Sequence, residues 1–232
     1  MKNYFSKKGN NIEICSHRTN SIARFIRFSS ILNCMEIDVI IKKNYLDVSH
    51  SKKETTSLKL VDLIKIQKDK NDILWLDVKN IQSTEQCIKL MNHLKNINLK
   101  NNQIKLFIEF PSKIINDISN YKECISNIRL MNFPISYYIP NNVKSKCIEE
   151  KKDNSSDEKS CNYINEIIKK VYESSLFTDL SFDYKNYDFL KNINLLDKFA
   201  LNTWHIPDLE IMSISDKNFR LIIPYNDNVN YN

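Results

Sequence analysis

Five ionisable residue types recur in short apolar runs of this chain, and their spacing could support phosphoryl chemistry. His17 and Arg18 close the run IEICSHR, and Glu36 and Asp38 lie in MEIDVII. His50 follows Asp47-Val48-Ser49, and Asp77 and Lys79 lie in WLDVKN. In an extended strand, residues i and i+2 point to one side, so Glu36 shares a face with Asp38, and Asp77 with Lys79. Met35, Ile37 and Val39 make the other face apolar. Two carboxylates taken out of water on one face need compensation, and a hard divalent cation with oxygen ligands is the natural partner. Other readings stay open for each piece. An ExD pair can sit exposed at a strand end, Asp77–Lys79 can be an internal ion pair, and His17 can be a satisfied buried histidine. His93, in LMNHLKN, reads as a helix-surface residue, whereas Trp204 and His205, in NTWHIP, would line or cap the mouth of the fold.

These groups need elements to hold them. Apolar runs at Ile12 to His17, Cys34 to Ile41, Ile73 to Lys79, Ile104 to Phe110, Ile135 to Pro140, Leu180 to Tyr184, Phe199 to Ile206 and Phe219 to Tyr225 read as strands. Helical periodicity separates them at Ser21 to Leu32, Leu58 to Gln67, Thr84 to Ile97, Ile114 to Ile128, Tyr163 to Glu173 and Tyr187 to Leu196. The connection at Asp208 to Asp216 is short for a helix. Eight strands alternating with helix-length connections predict a single-domain (β/α)8 TIM barrel, its core over residues 12–225. A doubly wound open sheet is the competing architecture. In a barrel, reactive groups sit at the carboxyl ends of the strands, which is where His17, Glu36, Asp38, Asp77 and Lys79 fall. The polar stretch at 141–160 reads as a mobile surface loop after the fifth strand.

Composition narrows the chemistry further. The 232 residues contain one glycine, Gly9, where average usage of about 7% would give roughly 16. Glycine-rich phosphate cradles of the Walker or Rossmann type are therefore excluded, and any phosphate chemistry must use side chains and metal. The net charge of +6 comes mostly from scattered lysines, with only five arginines, a pattern that argues against a nucleic-acid partner. No run is long and apolar enough for a transmembrane segment, and the polar start lacks the apolar stretch of a secretory signal. The six cysteines form no CxxC pair and several lie in apolar elements. They read as reduced core thiols of a cytoplasmic protein.

The set SHRTNS, MEIDVII, DVSH and WLDVKN resembles the glycerophosphodiester phosphodiesterase and phospholipase C-like phosphodiesterase superfamily. The spacings fit, with 19 residues from His17 to Glu36 and 12 from Asp38 to His50. SYYIP, SFDY and NTWHIP, with the opening His17 and Asn20, look similar to the menorin-like branch and its uncharacterised microbial relatives. Two positions depart from the enzymes of the superfamily. Thr19 stands where a glycine usually follows His-Arg, and Ser51 follows the second histidine in place of an aspartate. The resemblance implies a metal, Mg2+ or Ca2+, held by Glu36, Asp38 and Asp77. It also implies His17 and His50 as general acid and base, and Arg18 and Lys79 as substrate-binding groups, with Trp204 a further substrate contact at the mouth. The expected activity is hydrolysis of a small glycerophosphodiester-like or sugar-phosphate diester. The alternative is a non-catalytic barrel that keeps the site as a ligand- or metal-binding pocket.

Overall fold

A computed structural model describes residues 12–51, 53–67, 72–100, 105–153, 161–211 and 218–224. Strands β1 (Glu13–Ser16), β2 (Cys34–Ile41), β4 (Ile73–Val78), β5 (Lys105–Phe110), β6 (Ile135–Tyr138), β7 (Asp179–Asp183), β8 (Ala200–Ile206) and β9 (Phe219–Pro224) pair in parallel. Because β1 pairs with both β2 and β9, the eight close into a barrel. This is the expected (β/α)8 architecture. One further strand, β3 (Leu46–Val48), folds back antiparallel on β2.

Helices cover the outside of the barrel and bury their apolar faces against it. They are α1 (Ile22–Ser29), α2 (Leu60–Ile66), α3 (Thr84–Lys100), α4 (Ile118–Arg129), α5 (Val143–Asp153), α6 (Asn162–Ser174), and the short α7 (Tyr187–Leu190) and α8 (Asp208–Ile211). The Ser21 hydroxyl caps α1 by accepting from the Arg24 N–H at 3.2 Å. Cys87, Leu90, Leu94 and Ile97 form the buried stripe of α3. Met35, Ile37 and Val39 of β2 join this outer core, while Cys34, Glu36 and Asp38 alternate to the barrel interior. There Cys15, Cys34, Trp75, Phe107, Trp204, Leu221 and Ile223 pack as a separate inner cluster. Register places Asp38 beside Asp77, and Asp77 beside Glu109, in one layer at the carboxyl end.

Two expectations are corrected. Most of the stretch at 141–160 is helical: α5 buries Val143 and Cys147 one turn apart and turns Lys144, Lys146 and Glu149 outward. The Glu150 carboxylate accepts from the N–H groups of Asn162 and Tyr163 at 3.0 and 2.9 Å, so it caps α6. Two buried residues were too few to register as helical periodicity against so much charge. Residues 154–160 lie outside the described part.

The cysteines are not reduced thiols. All six are paired, as Cys15–Cys34, Cys87–Cys124 and Cys147–Cys161, with Cα separations of 4.4, 6.1 and 5.2 Å. Partners stand 19, 37 and 14 residues apart, so only the fold brings them together. Cys87–Cys124 staples α3 to α4, and Cys147–Cys161 staples α5 to the start of α6. Replacing Cys87 and Cys124 together by serine should lower unfolding stability by about 3–4 kcal/mol, the order expected for a loop of this length, as read by chemical denaturation. The native protein should show no iodoacetamide-reactive thiol until it is reduced.

Candidate functional site

The first strand delivers its pair through a tight turn made without glycine. Arg18 itself adopts the left-handed conformation, with φ 48°, and the Asn20 N–H donates to the Arg18 carbonyl at 2.7 Å. Thr19 is fully buried, its hydroxyl 2.6 Å from that of Ser16 and its N–H donating to the Glu36 carbonyl at 2.8 Å. Thr19 thus anchors β1 to β2, and the strain usually relieved by glycine is carried by Arg18. The turn also aims donors at the carboxylates. The Arg18 N–H donates to Glu36 Oε2 at 2.5 Å. Asn20 clasps Asp38 from both sides: its Nδ2 donates to Asp38 Oδ2 at 2.6 Å, and its Oδ1 accepts from the Asp38 N–H at 2.9 Å.

The β2–β3 hairpin brings in His50. Val39 pairs with Val48, so the chain returns alongside Asp38, and the Ser49 N–H donates to the Asp38 carbonyl at 3.1 Å. His50 Nε2 lies 3.1 Å from Arg18 Nη2. A guanidinium only donates, so Nε2 is the acceptor and the proton of the neutral ring is on Nδ1. That nitrogen lies 3.8 Å from the exposed Glu54 carboxylate.

Glu36, Asp38 and Asp77 each present an oxygen, and the three oxygens lie within 4.8 Å of one another. Glu36 and Asp38 are buried, and Asp77 is partly open to the cavity. Lys79 Nζ sits 2.8 Å from Asp38 Oδ1 and also bonds Asp77. Burial pushes the Glu36 carboxyl well above the usual carboxylate range, and the Asp38 and Asp77 charges add to this. Burial also raises Asp77, although Lys79 opposes the shift. Lys79 is held firmly charged: burial would lower it, but Asp77 and Asp38 outweigh that. Fully ionised, as they would be around a cation, the three carboxylates exceed the Lys79 ammonium by two negative charges, so the trio could hold one divalent cation.

Asp77 and Lys79 open onto a cavity of ≈530 Å³ at the carboxyl end of the barrel, with Glu36 and Asp38 buried behind them. His17, Arg18, His50, Asp77 and Lys79 all reach it. His17 is pushed down to about 4, mainly by burial and then by Arg18 and His205, so it is neutral at pH 7. Trp204 lines the cavity too, but most of its surface packs on Trp75 and Tyr138, with ring centroids 5.0 and 5.1 Å away. It forms the floor more than a projecting contact. A cavity of ≈660 Å³ at the amino end of the barrel, lined by residues such as Lys105, Phe133 and Arg220, holds none of the groups singled out from sequence.

Three further residues complete the site. Glu109, one residue before the end of β5, lies next to Asp77, accepts from Trp75 Nε1 at 3.1 Å, and is raised by burial and by Asp77. An acid inside the apolar run KLFIEF was the signal. Tyr138 ends β6 against Trp204. Asp183 ends β7, where its Oδ2 lies 3.2 Å from His205 Nδ1 and 2.9 Å from Lys185 Nζ. Burial pushes Asp183 up, but the hydrogen bonds from His205 and Lys185 outweigh it and hold the acid at about 2. His93 is far from this constellation, its Nε2 3.3 Å from the Lys42 carbonyl.

No protein-family model matches the chain, and no curated protein matches it at a significant level. Among solved structures, a chitinase from Chromobacterium violaceum ATCC 12472 is similar in fold. It is 9% identical, with a TM-score of 0.50 over 84% of this chain and 68% of the chitinase chain. At that identity the likeness supports the barrel and nothing about chemistry.

The raised carboxyl of Glu36 sets a stability test. A carboxyl whose pKa is raised on folding contributes stability below its unfolded value, and that stability is lost as pH rises through the folded value. In chelator, Glu36→Gln should therefore melt higher than the parent at pH 7, by about 3 °C or more. The advantage should fade as pH falls toward 4.5. Thermal melts across this range check it.

Proposed function

We propose that this chain is a divalent-cation-dependent phosphodiesterase acting on a small glycerophosphodiester-like or sugar-phosphate diester. The observation that carries the reading is the convergence of Glu36, Asp38 and Asp77 within 4.8 Å, in the layer that also presents His17, Arg18 and Lys79. The donor set fits a hard cation: all ligands are oxygens, and the uncompensated charge matches Mg2+ or Ca2+. Resemblance of HR, ExD, DVSH and DxK to the phosphodiesterase superfamily adds to it. When bound, the cation would polarise a phosphoryl oxygen.

The remaining work falls to the chain's own side chains. Arg18 and Lys79 place positive charge beside the cavity where phosphoryl oxygens gain negative charge. His17, neutral at pH 7, is suited to take a proton from the attacking water or hydroxyl. A second proton must reach the departing oxygen, the role expected of His50. Beside a bound cation, the positive Arg18 and Lys79 favour a diester, which brings one negative charge, over an uncharged substrate.

The disulfides bear on compartment. Three bridges in a chain of 232 residues are typical of an oxidising environment, which argues for a compartment outside the reducing cytoplasm. No helix among the described residues is long and apolar enough to cross a membrane.

Purified protein should hydrolyse glycerophosphodiesters with Mg2+ or Ca2+, lose that activity in chelator, and regain it when the cation returns. His17→Ala should lower turnover by about 100-fold or more. Cation binding with no turnover across a diester panel would mean that the barrel keeps the site as a binding pocket. No cation binding would sink the reading altogether.

A further inference from the structure

Strand β8 departs from regular pairing where it meets the cavity. Its register with β9 shifts between Thr203 and Ile206, and His205 takes a left-handed φ of 59°. Trp204 faces the barrel interior, so strict alternation would turn His205 outward and Ile206 inward. The reverse is found: Ile206 packs in the outer core and His205 lines the cavity. A bulge combined with a strained non-glycine residue re-aims a side chain, and such strain collects at functional sites.

The re-aimed ring lands on a built partner. Asp183 Oδ2 lies 3.2 Å from His205 Nδ1, and a carboxylate can only accept. The Nδ1 proton is thereby fixed, and exchange with a ligand falls to Nε2. Lys185 reinforces the ionised Asp183 twice, its Nζ 2.9 Å from the same Oδ2 and its backbone N–H donating to Oδ1 at 3.2 Å, and the His17 ring lies edge-on to His205 with centroids 5.8 Å apart. His50 is placed differently. Its Nε2 already accepts from Arg18, and its Nδ1 is nearest the exposed Glu54.

Asp183 and His205 also belong to the wall of a second cavity of ≈640 Å³, which Lys185, Glu210 and the stacked rings of Tyr184 and Tyr187 help to line. The pair therefore borders both the space beside Arg18 and Lys79 and a polar, aromatic-edged space suited to a hydroxyl-bearing alcohol.

We infer that His205, oriented by Asp183, is the general acid that protonates the departing alcohol of the diester. The inference rests on the phosphodiesterase reading and replaces His50 in one step. As the water oxygen bonds to phosphorus, His17 takes one of its protons. The bond from phosphorus to the ester oxygen breaks, its electron pair stays on that oxygen, and the His205 Nε2 proton moves to it. The products are a phosphomonoester and a free alcohol. His17 then releases its proton to solvent and His205 regains one, while Asp183 keeps the Nδ1–H hydrogen bond throughout.

Leaving-group dependence separates this role from a structural one. With the cation present, His205→Gln should lose about 100-fold or more on the alkyl diester glycerophosphocholine. On bis(p-nitrophenyl) phosphate, whose phenolate departs without protonation, the loss should be under about tenfold. Asp183→Asn, which removes the tautomer-fixing acceptor, should show the same bias and carries the test if His205→Gln does not fold. Equal losses on both substrates, or none, would overturn the inference. So would the bias appearing in His50→Gln instead, which would leave the phosphodiesterase reading standing. A parent protein inert toward both diesters would overturn the two together.

Discussion

Burying three carboxylates side by side at the mouth of a barrel is the constraint around which this molecule is arranged. Left alone, Glu36, Asp38 and Asp77 repel one another in a setting that strips their hydration. The chain answers with donors placed by backbone and side chain alike. The Arg18 N–H serves Glu36, Asn20 serves Asp38 twice, and Lys79 spans Asp38 and Asp77. Even so, one ammonium against three acids leaves the layer underneutralised. A site kept in that condition is poised for a cation, and a cation there would face the same cavity as His17 and Arg18.

Beneath this layer the barrel is unusually well tied. The Cys15–Cys34 bridge joins β1 to β2 inside the barrel, two residues before His17 on one strand and before Glu36 on the other. Trp75, Phe107 and Trp204 fill the space around it, and Trp75 also donates to Glu109. The reactive groups therefore stand on a packed floor in which their strand ends have little freedom. The scarcity of glycine belongs to the same picture. Five non-glycine residues take positive φ among those described, and two of them, Arg18 and His205, are in the site. Gly9, the single glycine of the sequence, lies outside the described residues. At Arg18 and His205, strain that glycine would have relieved falls where side chains must be aimed.

The barrel and half of the site were legible because both depend on local pattern. Period-two alternation in MEIDVII and WLDVKN places Glu36, Asp38 and Asp77 inward, and parallel strands in register bring them to one layer. What escaped depends on distant pairing or on broken pattern. His50 stands out in the sequence, but its place does not, because it reaches the site only through the antiparallel return of β3. The cysteines looked like isolated buried thiols because their partners are far away in sequence. His205 was ambiguous for a different reason: a bulge reverses its face, and no alternation rule foresees a bulge. Helix α5 is hidden by its charge, since Val143 and Cys147 form the one buried i, i+4 pair among its described side chains.

The account turns on whether a cation occupies the Glu36–Asp38–Asp77 trio. The most direct measurement is anomalous diffraction from crystals equilibrated with Mn2+, used as a scattering substitute for Mg2+ or Ca2+. A single strong peak is expected, about 2.0–2.6 Å from one oxygen of each of the three carboxylates. No peak at saturating Mn2+, with Lys79 still bridging Asp38 and Asp77, would contradict it.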